Sequence, residues 1–191
     1  MKIDFVVSLP YNELMAKAFC KKNFKVNLTN IKEWTRGFEK EWRKHERKIL
    51  NKIEEYSGIK WKEDKIKCYV VGNSPISISS PLTIPIFKNK RVALKCLVHE
   101  LIHVNIAGVN KPLLSPKSKE AQTFRHIGLY LIYNQIMKKF FPGEKIYLRS
   151  ELENPRYKKA IEISKKLEPK WKKSNKNIYE FMKYYLKGGF S

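Results

Sequence analysis

The chain has 191 residues, of which 42% are hydrophobic and 13% aromatic, enough apolar side chain to fold as one domain and to exclude a disordered chain. Its 40 lysines and arginines outnumber 18 acidic residues, giving a net charge of +22. Such a balance favours either a polyanion such as nucleic acid or a lysine-rich solvated surface. Because the lysines are scattered, with a small concentration at 158–176, we prefer the solvated surface and keep nucleic acid as an alternative partner.

The cysteines and the longest apolar runs indicate where the protein works. Cys20, Cys68 and Cys96 are odd in number and widely spaced, so neither a zinc ribbon nor a redox pair is predicted, and a reducing compartment fits. The apolar N-terminal stretch is short and interrupted by Asp4, and no run reaches the length of a membrane span. We therefore expect a soluble cytoplasmic protein without a membrane partner.

The first third of the chain predicts a strand over residues 2–9, a short helix over 11–22 and a long amphipathic helix over 31–57 that ends at Gly58. Its apolar stripe recurs at intervals of three and four: Ile31, Trp34, Phe38, Trp42, His45, Ile49, Ile53 and Tyr56. Because His45 falls on this stripe, we interpret it as a partly buried histidine rather than a metal ligand.

Two extended segments follow. Residues 65–72 predict a strand, and residues 76–87 alternate apolar and small polar side chains interrupted by Pro81 and Pro85. Proline cannot donate to a ladder, so the second segment is predicted at a sheet edge. That edge could pair with an extended peptide, or the segment could be a plain hairpin blunted by proline. We prefer the peptide rim because of the motif that follows.

The rest of the chain is predicted to be helical, with a polar loop over 109–117. The helices are predicted over 90–107, stopped by Gly108, and over 118–140, 155–167 and 174–187. This order predicts an α+β fold. We expect a small mixed or antiparallel sheet backed by the long helix, with an edge strand lining a cleft, in a single domain of residues 1–191 whose catalytic core covers about 60–140.

The most informative motif is His99-Glu100-Leu101-Ile102-His103, an H-E-x-x-H pattern that takes two of the four histidines. On a helix, residues four apart share a face, so both imidazoles can reach one zinc ion. Glu100 lies about 100° round the helix from His99, where its carboxylate can meet a water without binding the metal. The motif predicts a zinc site with His99 and His103 as ligands and Glu100 as the general base.

A catalytic zinc usually takes three protein ligands, and two downstream residues are candidates for the third. Glu120 and His126 are six residues apart on one predicted helix, about 120° apart around its axis. We therefore expect only one of them to reach the metal. Glu120 shares a face with Phe124, Ile127 and Leu131, the side expected to face the core. We therefore prefer Glu120 as the third ligand and keep His126 as the alternative. An acidic residue in a first helical turn can also serve helix stability alone.

Residues 96–104, Cys-Leu-Val-His-Glu-Leu-Ile-His-Val, resemble the zinc-binding helix of zincin metallopeptidases, and a glutamate on the next helix is similar to the gluzincin arrangement. Residues 120–124, Glu-Ala-Gln-Thr-Phe, also resemble the glutamate helix of the ImmA/IrrE family of small zinc peptidases. Residues 126–128, His-Ile-Gly, are similar to the third-histidine segment of SprT-like proteases, at a longer spacing from the motif. The resemblance covers about residues 76–135, and Asn105 departs from it where zincins carry an apolar residue.

The resemblance implies a zincin-like fold and a zinc-dependent endopeptidase acting on proteins or peptides. Carried over by residue, it implies His99, His103 and Glu120 as zinc ligands and Glu100 as the general base. Tyr147 or Tyr157 would then stabilise the oxyanion. The alternatives are a basic nucleic-acid-binding protein or a nucleic-acid-associated protease, with the motif accessory or inactive, and a zinc-containing regulator without peptidase activity.

Overall fold

A computed structural model describes residues 1–19, 26–72, 74–107 and 119–186, and the side chains of residues 119–122 lie outside this description. Within these ranges the chain forms four strands and eight helices, a mixture of α and β as predicted. The strands are β1 (Lys2–Val6), β2 (Lys65–Val71), β3 (Ile78–Ser79) and β4 (Leu82–Pro85). The helices are α1 (Leu9–Phe19), α2 (Leu28–Arg43), α3 (Glu46–Ser57), α4 (Lys90–Ala107), α5 (Lys119–Phe140), α6 (Arg149–Glu153), α7 (Pro155–Ser174) and α8 (Ile178–Leu186).

The chain divides into two compact units: the first contains Met1–Leu50 and Lys62–Val104, and the second contains Asn51–Trp61 and Asn105–Ser191. The first unit holds an open sheet in the order β1-β2-β4-β3. β2 pairs parallel with both β1 and β4, whereas β3 pairs antiparallel with β4, so the small sheet is mixed. Its inner strands, β2 and β4, bury apolar side chains completely at positions such as Val70 and Ile84.

Residues 76–87 form a hairpin rather than one extended edge strand, because β3 and β4 pair with each other through Ile78 with Thr83 and Ser79 with Leu82. Pro81 lies in the turn between the two strands, where no ladder donor is needed, and Pro85 ends β4. The hairpin alternative is therefore confirmed, and only the two residues of β3 form this edge of the described sheet. Pairing of the edge with a peptide stays a prediction.

Helix α1 is attached to the sheet by polar side chains. The side-chain amide of Asn12, which is 4% exposed, donates to the carbonyl of Val70 at 3.1 Å and accepts from the amide of Gly72 at 2.8 Å. The hydroxyls of Tyr11 and Thr83 lie 2.8 Å apart, within hydrogen-bond distance. The two bonds of Asn12 satisfy backbone groups at the end of β2.

The prediction of one unbroken helix over 31–57 is wrong, because a turn at Lys44–His45 separates α2 from α3. The amides of Lys44 and His45 bond the carbonyls three residues earlier, at 3.3 and 2.9 Å, which tightens the chain. The apolar stripe continues on both sides of the turn, with Phe38, Trp42, Ile49 and Ile53 all fully buried. Periodicity alone could not show the break.

The side chain of Glu46, the first residue of α3, gives the turn a physical reason. Its carboxylate accepts from the backbone amide of Ile3 in β1 at 2.8 Å and from the indole of Trp42 at 3.0 Å. It also pairs with Arg43, whose guanidinium bonds the carbonyl of Ile3. A tertiary bond to β1 therefore fixes where α3 begins. His45 is half-buried as predicted, and burial lowers its pKa despite the nearby carboxylate of Glu41.

Helix α4 has the predicted bounds, Lys90–Ala107, while its predicted stop at Gly108 lies outside the described residues. Its middle is buried nearly all round, which explains why it shows no strongly amphipathic pattern. The fully or almost fully buried residues are Ala93, Leu94, Leu97, Val98, Leu101 and Ile102. Cys96 is buried on the same helix.

In the second unit, α5 packs along α7, and α6 and α8 pack against these two helices. Helix α7 runs past its predicted end at residue 167 and continues through Pro169 to Ser174. Packing explains the extension. The buried Trp171 packs on Tyr56 with 5.8 Å between the ring centroids, and its indole N–H donates to the carbonyl of Lys176 at 2.8 Å. These tertiary contacts stabilise the helix by more than the loss of the backbone hydrogen bond at Pro169 destabilises it.

A charged cluster joins α5 to α7. The carboxylate of Glu168 is 8% exposed and accepts from Gln135 at 2.8 Å and Lys138 at 2.7 Å, and the ammonium of Lys172 lies 3.1 Å away. Burial opposes ionisation of this carboxyl, but the hydrogen bonds from Lys138, Gln135 and Lys172 outweigh it and lower the pKa of Glu168. Its ionised form therefore stabilises the folded state.

We expect Glu168→Gln to lower the free energy of unfolding by about 1–2 kcal/mol at pH 7, since both lysines are half exposed and water screens them. Because the folded pKa is depressed, the loss should shrink as pH falls through that pKa and the wild-type carboxylate is protonated. Urea unfolding at several pH values measures both effects. Glu162→Gln, at an exposed position of the same helix, is the control and should change little. An equal loss in both variants would contradict the prediction.

Among the described residues, none of the helices combines the length and apolarity needed to cross a bilayer.

Candidate metal centre

Helix α4 places two of the predicted ligands side by side. His99 and His103 are four residues apart in the helix, and their ring centroids are 5.0 Å apart with 63° between the ring planes. Both side chains are half-buried, as is that of Glu100, which follows His99 directly. The predicted pairing of the two imidazoles on one helix face is confirmed; their role as ligands stays a prediction.

A third histidine completes the cluster. His126 lies on α5 and is 9% exposed. One ligand atom from each of His99, His103 and His126 lies within 4.8 Å of the others. Of the two candidate third ligands, His126, the alternative, is therefore the one whose described side chain lies beside the motif.

The three imidazoles fit a metal ion. Zinc bonds imidazole nitrogen at about 2.0–2.1 Å, so two nitrogens of a tetrahedral site lie about 3.4 Å apart. The ligand atoms of the present cluster all lie within 4.8 Å of one another, somewhat wider than that spacing. Three protein ligands also leave a fourth position open, as in catalytic sites. Imidazole binds copper, nickel and iron as well, so the donor set supports a metal site without specifying the metal.

Glu120 falls in the first turn of α5, and the predicted helix is confirmed, but its side chain lies outside the described residues. Its role as a ligand therefore stays a prediction. The sequence favours Glu120 because its face of the helix is expected to be the core side. In the structure Ile127 is buried, but so are Leu129 and Tyr130 on the face of His126. The sequence itself indicates that the face of His126 is buried, because Leu129 and Tyr130 follow His126 at intervals of three and four.

Aromatic rings surround His126 within its own unit. The ring centroid of Tyr157 lies 4.6 Å from that of His126, and the centroid of Tyr130 lies at 6.1 Å. Burial strongly raises the pKa of Tyr130, whose hydroxyl donates to Glu151 at 2.9 Å, so this phenol stays protonated. His126 is thus held among rings that limit its rotation.

The two tyrosines predicted as oxyanion stabilisers differ in position. Tyr157 contacts the ring of His126. Tyr147 donates its hydroxyl to the side-chain oxygen of Asn134 at 2.7 Å, and burial raises its pKa to about 12. A catalytic role for either stays a prediction, and the ring contact favours Tyr157.

Asn105, the departure from the zincin pattern, has a structural role. It is 3% exposed, and its side-chain amide donates to the carbonyl of Ile59 at 3.0 Å. A polar residue at this position therefore satisfies a backbone group that precedes β2.

No known family, curated protein or solved structure matches this chain. The interpretation of the site therefore rests on the H-E-x-x-H helix and on the third histidine that joins it.

Proposed function

We propose that the chain is a zinc-dependent metallopeptidase whose metal is bound by His99, His103 and His126. The observation that carries the proposal is the approach of these three imidazoles, with ligand atoms within 4.8 Å of one another. The adjacent Glu100 supplies the carboxylate that a hydrolytic site needs in addition to its ligands. One turn of helix carries two histidines and a glutamate, and a third histidine joins them from elsewhere in the chain. This arrangement favours a catalytic site over a closed structural site.

In this proposal, a bound zinc ion would lower the pKa of a water molecule and polarise the scissile carbonyl. Glu100 accepts a proton from the attacking water and passes it to the leaving amine. His99 and His103 orient the site because the helix fixes their spacing, and the ring of Tyr157 restrains His126. A half-buried site also excludes part of the competing solvent.

A protein or peptide substrate is supported by the edge of the sheet in the first unit. Among the strands of the described ranges β3 pairs with β4 alone, so its other side can accept an extended chain. The exposed side chain of Ile76, just before β3, offers apolar surface beside that edge. Hydrolysis of an extended segment of protein is therefore the reaction that we assign.

The experiment is metal removal and return. The purified chain is expected to hold about one zinc per molecule and to cleave an unfolded protein such as casein; this activity is expected to disappear after treatment with 1,10-phenanthroline and to return with one equivalent of zinc. Metal analysis and fragment analysis by mass spectrometry measure the two properties separately. Cleavage that persists in the metal-free protein, or a zinc-loaded protein that cleaves no peptide in a diverse library, would overturn the proposal.

A further inference from the structure

Lysines recur in pairs along α7, with seven residues from each pair to the next. The pairs are Lys158-Lys159, Lys165-Lys166 and Lys172-Lys173, and all six side chains are exposed. Seven residues make nearly two turns, so successive pairs lie about 10.5 Å apart and drift only about 20° around the axis. The six lysines, here called the lysine stripe, thus follow one solvent face of α7 for about 21 Å.

The charge of the lysine stripe is mostly unmatched by acidic side chains. Of its six members, Lys172 is the one with an ion pair among the described residues, and its partner Glu168 already accepts from Lys138. Glu162 is the one exposed acidic residue among the six lysines on this face, and none of the ion pairs among the described residues joins it to them. A helix face built for solubility carries positive and negative charges in similar number four residues apart, whereas this face carries a large excess of one sign. The arrangement favours an anion from outside the chain.

A basic cavity adjoins the middle of the lysine stripe. Its volume is about 360 Å³, and its lining includes three lysines, Lys138, Lys145 and Lys165, against one carboxylate, that of Glu168, together with Tyr147 and Leu152. The ammonium of Lys165 lies 5.1 Å from the ring centroid of Tyr147, and Leu152 is 47% exposed. Cationic, aromatic and aliphatic groups therefore meet in one concave site.

A second cavity follows the C-terminal end of α7. It measures about 370 Å³ and is lined by Lys176, Glu180, Lys183 and Tyr184. The ring of Tyr184 is 47% exposed, and the ammonium of Lys176 lies 4.9 Å from its centroid. The exposed aromatic ring again lies beside lysines.

We propose that the lysine stripe and the two cavities bind single-stranded nucleic acid, independently of the peptidase function. Proteins that bind single strands combine a cationic track for the phosphates with aromatic surfaces on which bases stack. The lysine stripe supplies the track, and the cavities at Tyr147 and Tyr184 supply the surfaces. An acidic protein would bind the lysines alone, and a nucleic-acid duplex hides the faces of its bases. Neither would use the exposed side chains of Tyr184 and Leu152, so these favour an unpaired strand.

The first test measures how binding depends on salt. A fluorescein-labelled 12-nucleotide single-stranded DNA is titrated with the full chain and followed by anisotropy from 50 to 300 mM salt. Each phosphate contact on a single strand contributes about 0.7 to the slope of log K against log salt. Lys159→Gln, Lys166→Gln and Lys173→Gln together should therefore reduce the slope by about 2 and weaken binding at least tenfold at low salt. Glutamine keeps the helix propensity of these positions.

The matched control removes the same charge elsewhere. Lys32, Lys40 and Lys48 are exposed on α2 and α3, and their triple change to glutamine should alter the slope by less than about half a unit. An equal loss of slope in both triple variants would mean that net charge alone drives binding, and would overturn the proposal.

The second test addresses base stacking. Tyr184→Ala should weaken binding at least fivefold and leave the salt slope unchanged, because it removes a ring and no charge. Leu14→Ala, at another exposed apolar position of the chain, is its control and should have no effect. Equally tight binding of a 12-base-pair duplex, equal competition by polyglutamate, or an unaffected Tyr184→Ala variant would overturn the assignment to single strands.

Discussion

Glu100→Gln is expected to lower peptide hydrolysis by about 10²–10⁴-fold while leaving one zinc bound per chain. The amide has nearly the shape of the carboxylate but cannot accept a proton from water. Since Glu100 is assigned to proton transfer and not to metal binding, the two properties should separate. Metal analysis of the purified variant and kcat/KM for one cleaved peptide measure them.

The control for this variant is Glu162→Gln, an exposed position on α7 with the same chemical change, which should retain full activity. Equal thermal unfolding of the Glu100 variant and the wild type would show that lost activity is not lost folding. If Glu100→Gln cleaves as fast as the wild type, the assignment of the general base is wrong. If it loses its zinc, Glu100 serves the metal rather than the proton.

His126→Ala is expected to weaken zinc binding at least 100-fold and to abolish hydrolysis with it. Loss of a partner that merely orients a ligand costs about 10–100-fold in metal affinity, so loss of a ligand itself costs more. Glu120→Gln on the same helix is the competing variant, and we expect it to keep its zinc. Competition with a chromophoric chelator gives the affinity of each variant.

Two further variants keep this test decisive. His45→Ala removes a half-buried histidine outside the motif and should leave zinc binding unchanged. His126→Gln keeps more of the buried volume among Tyr130 and Tyr157, so it separates loss of the ligand from loss of packing. Zinc lost from Glu120→Gln and retained by both His126 variants would assign the third ligand to Glu120, as the sequence first suggested.

Long apolar runs and the turn-forming residues that flank them were sufficient to predict α4 and α5. Their predicted bounds agree with the structure because both are long apolar helices, α4 over Lys90–Ala107 and α5 over Lys119–Phe140. The same reasoning failed at Lys44–His45, where Glu46 bonds β1, and at Pro169, where packing of Trp171 carries α7 onward. Each failure occurs where a contact between distant residues decides the local backbone.

The sequence by itself determined the pair of imidazoles and the adjacent carboxylate. Residues i and i+4 of a helix must share a face, so once α4 forms, His99 and His103 lie together and Glu100 follows them. Only the tertiary structure decided that His126 joins them. Both faces of α5 are buried around this position, so no local pattern on that helix distinguishes the two candidates. The reason is physical: backbone hydrogen bonds fix spacing within a helix, whereas the meeting of residues from different elements depends on which buried faces pack together.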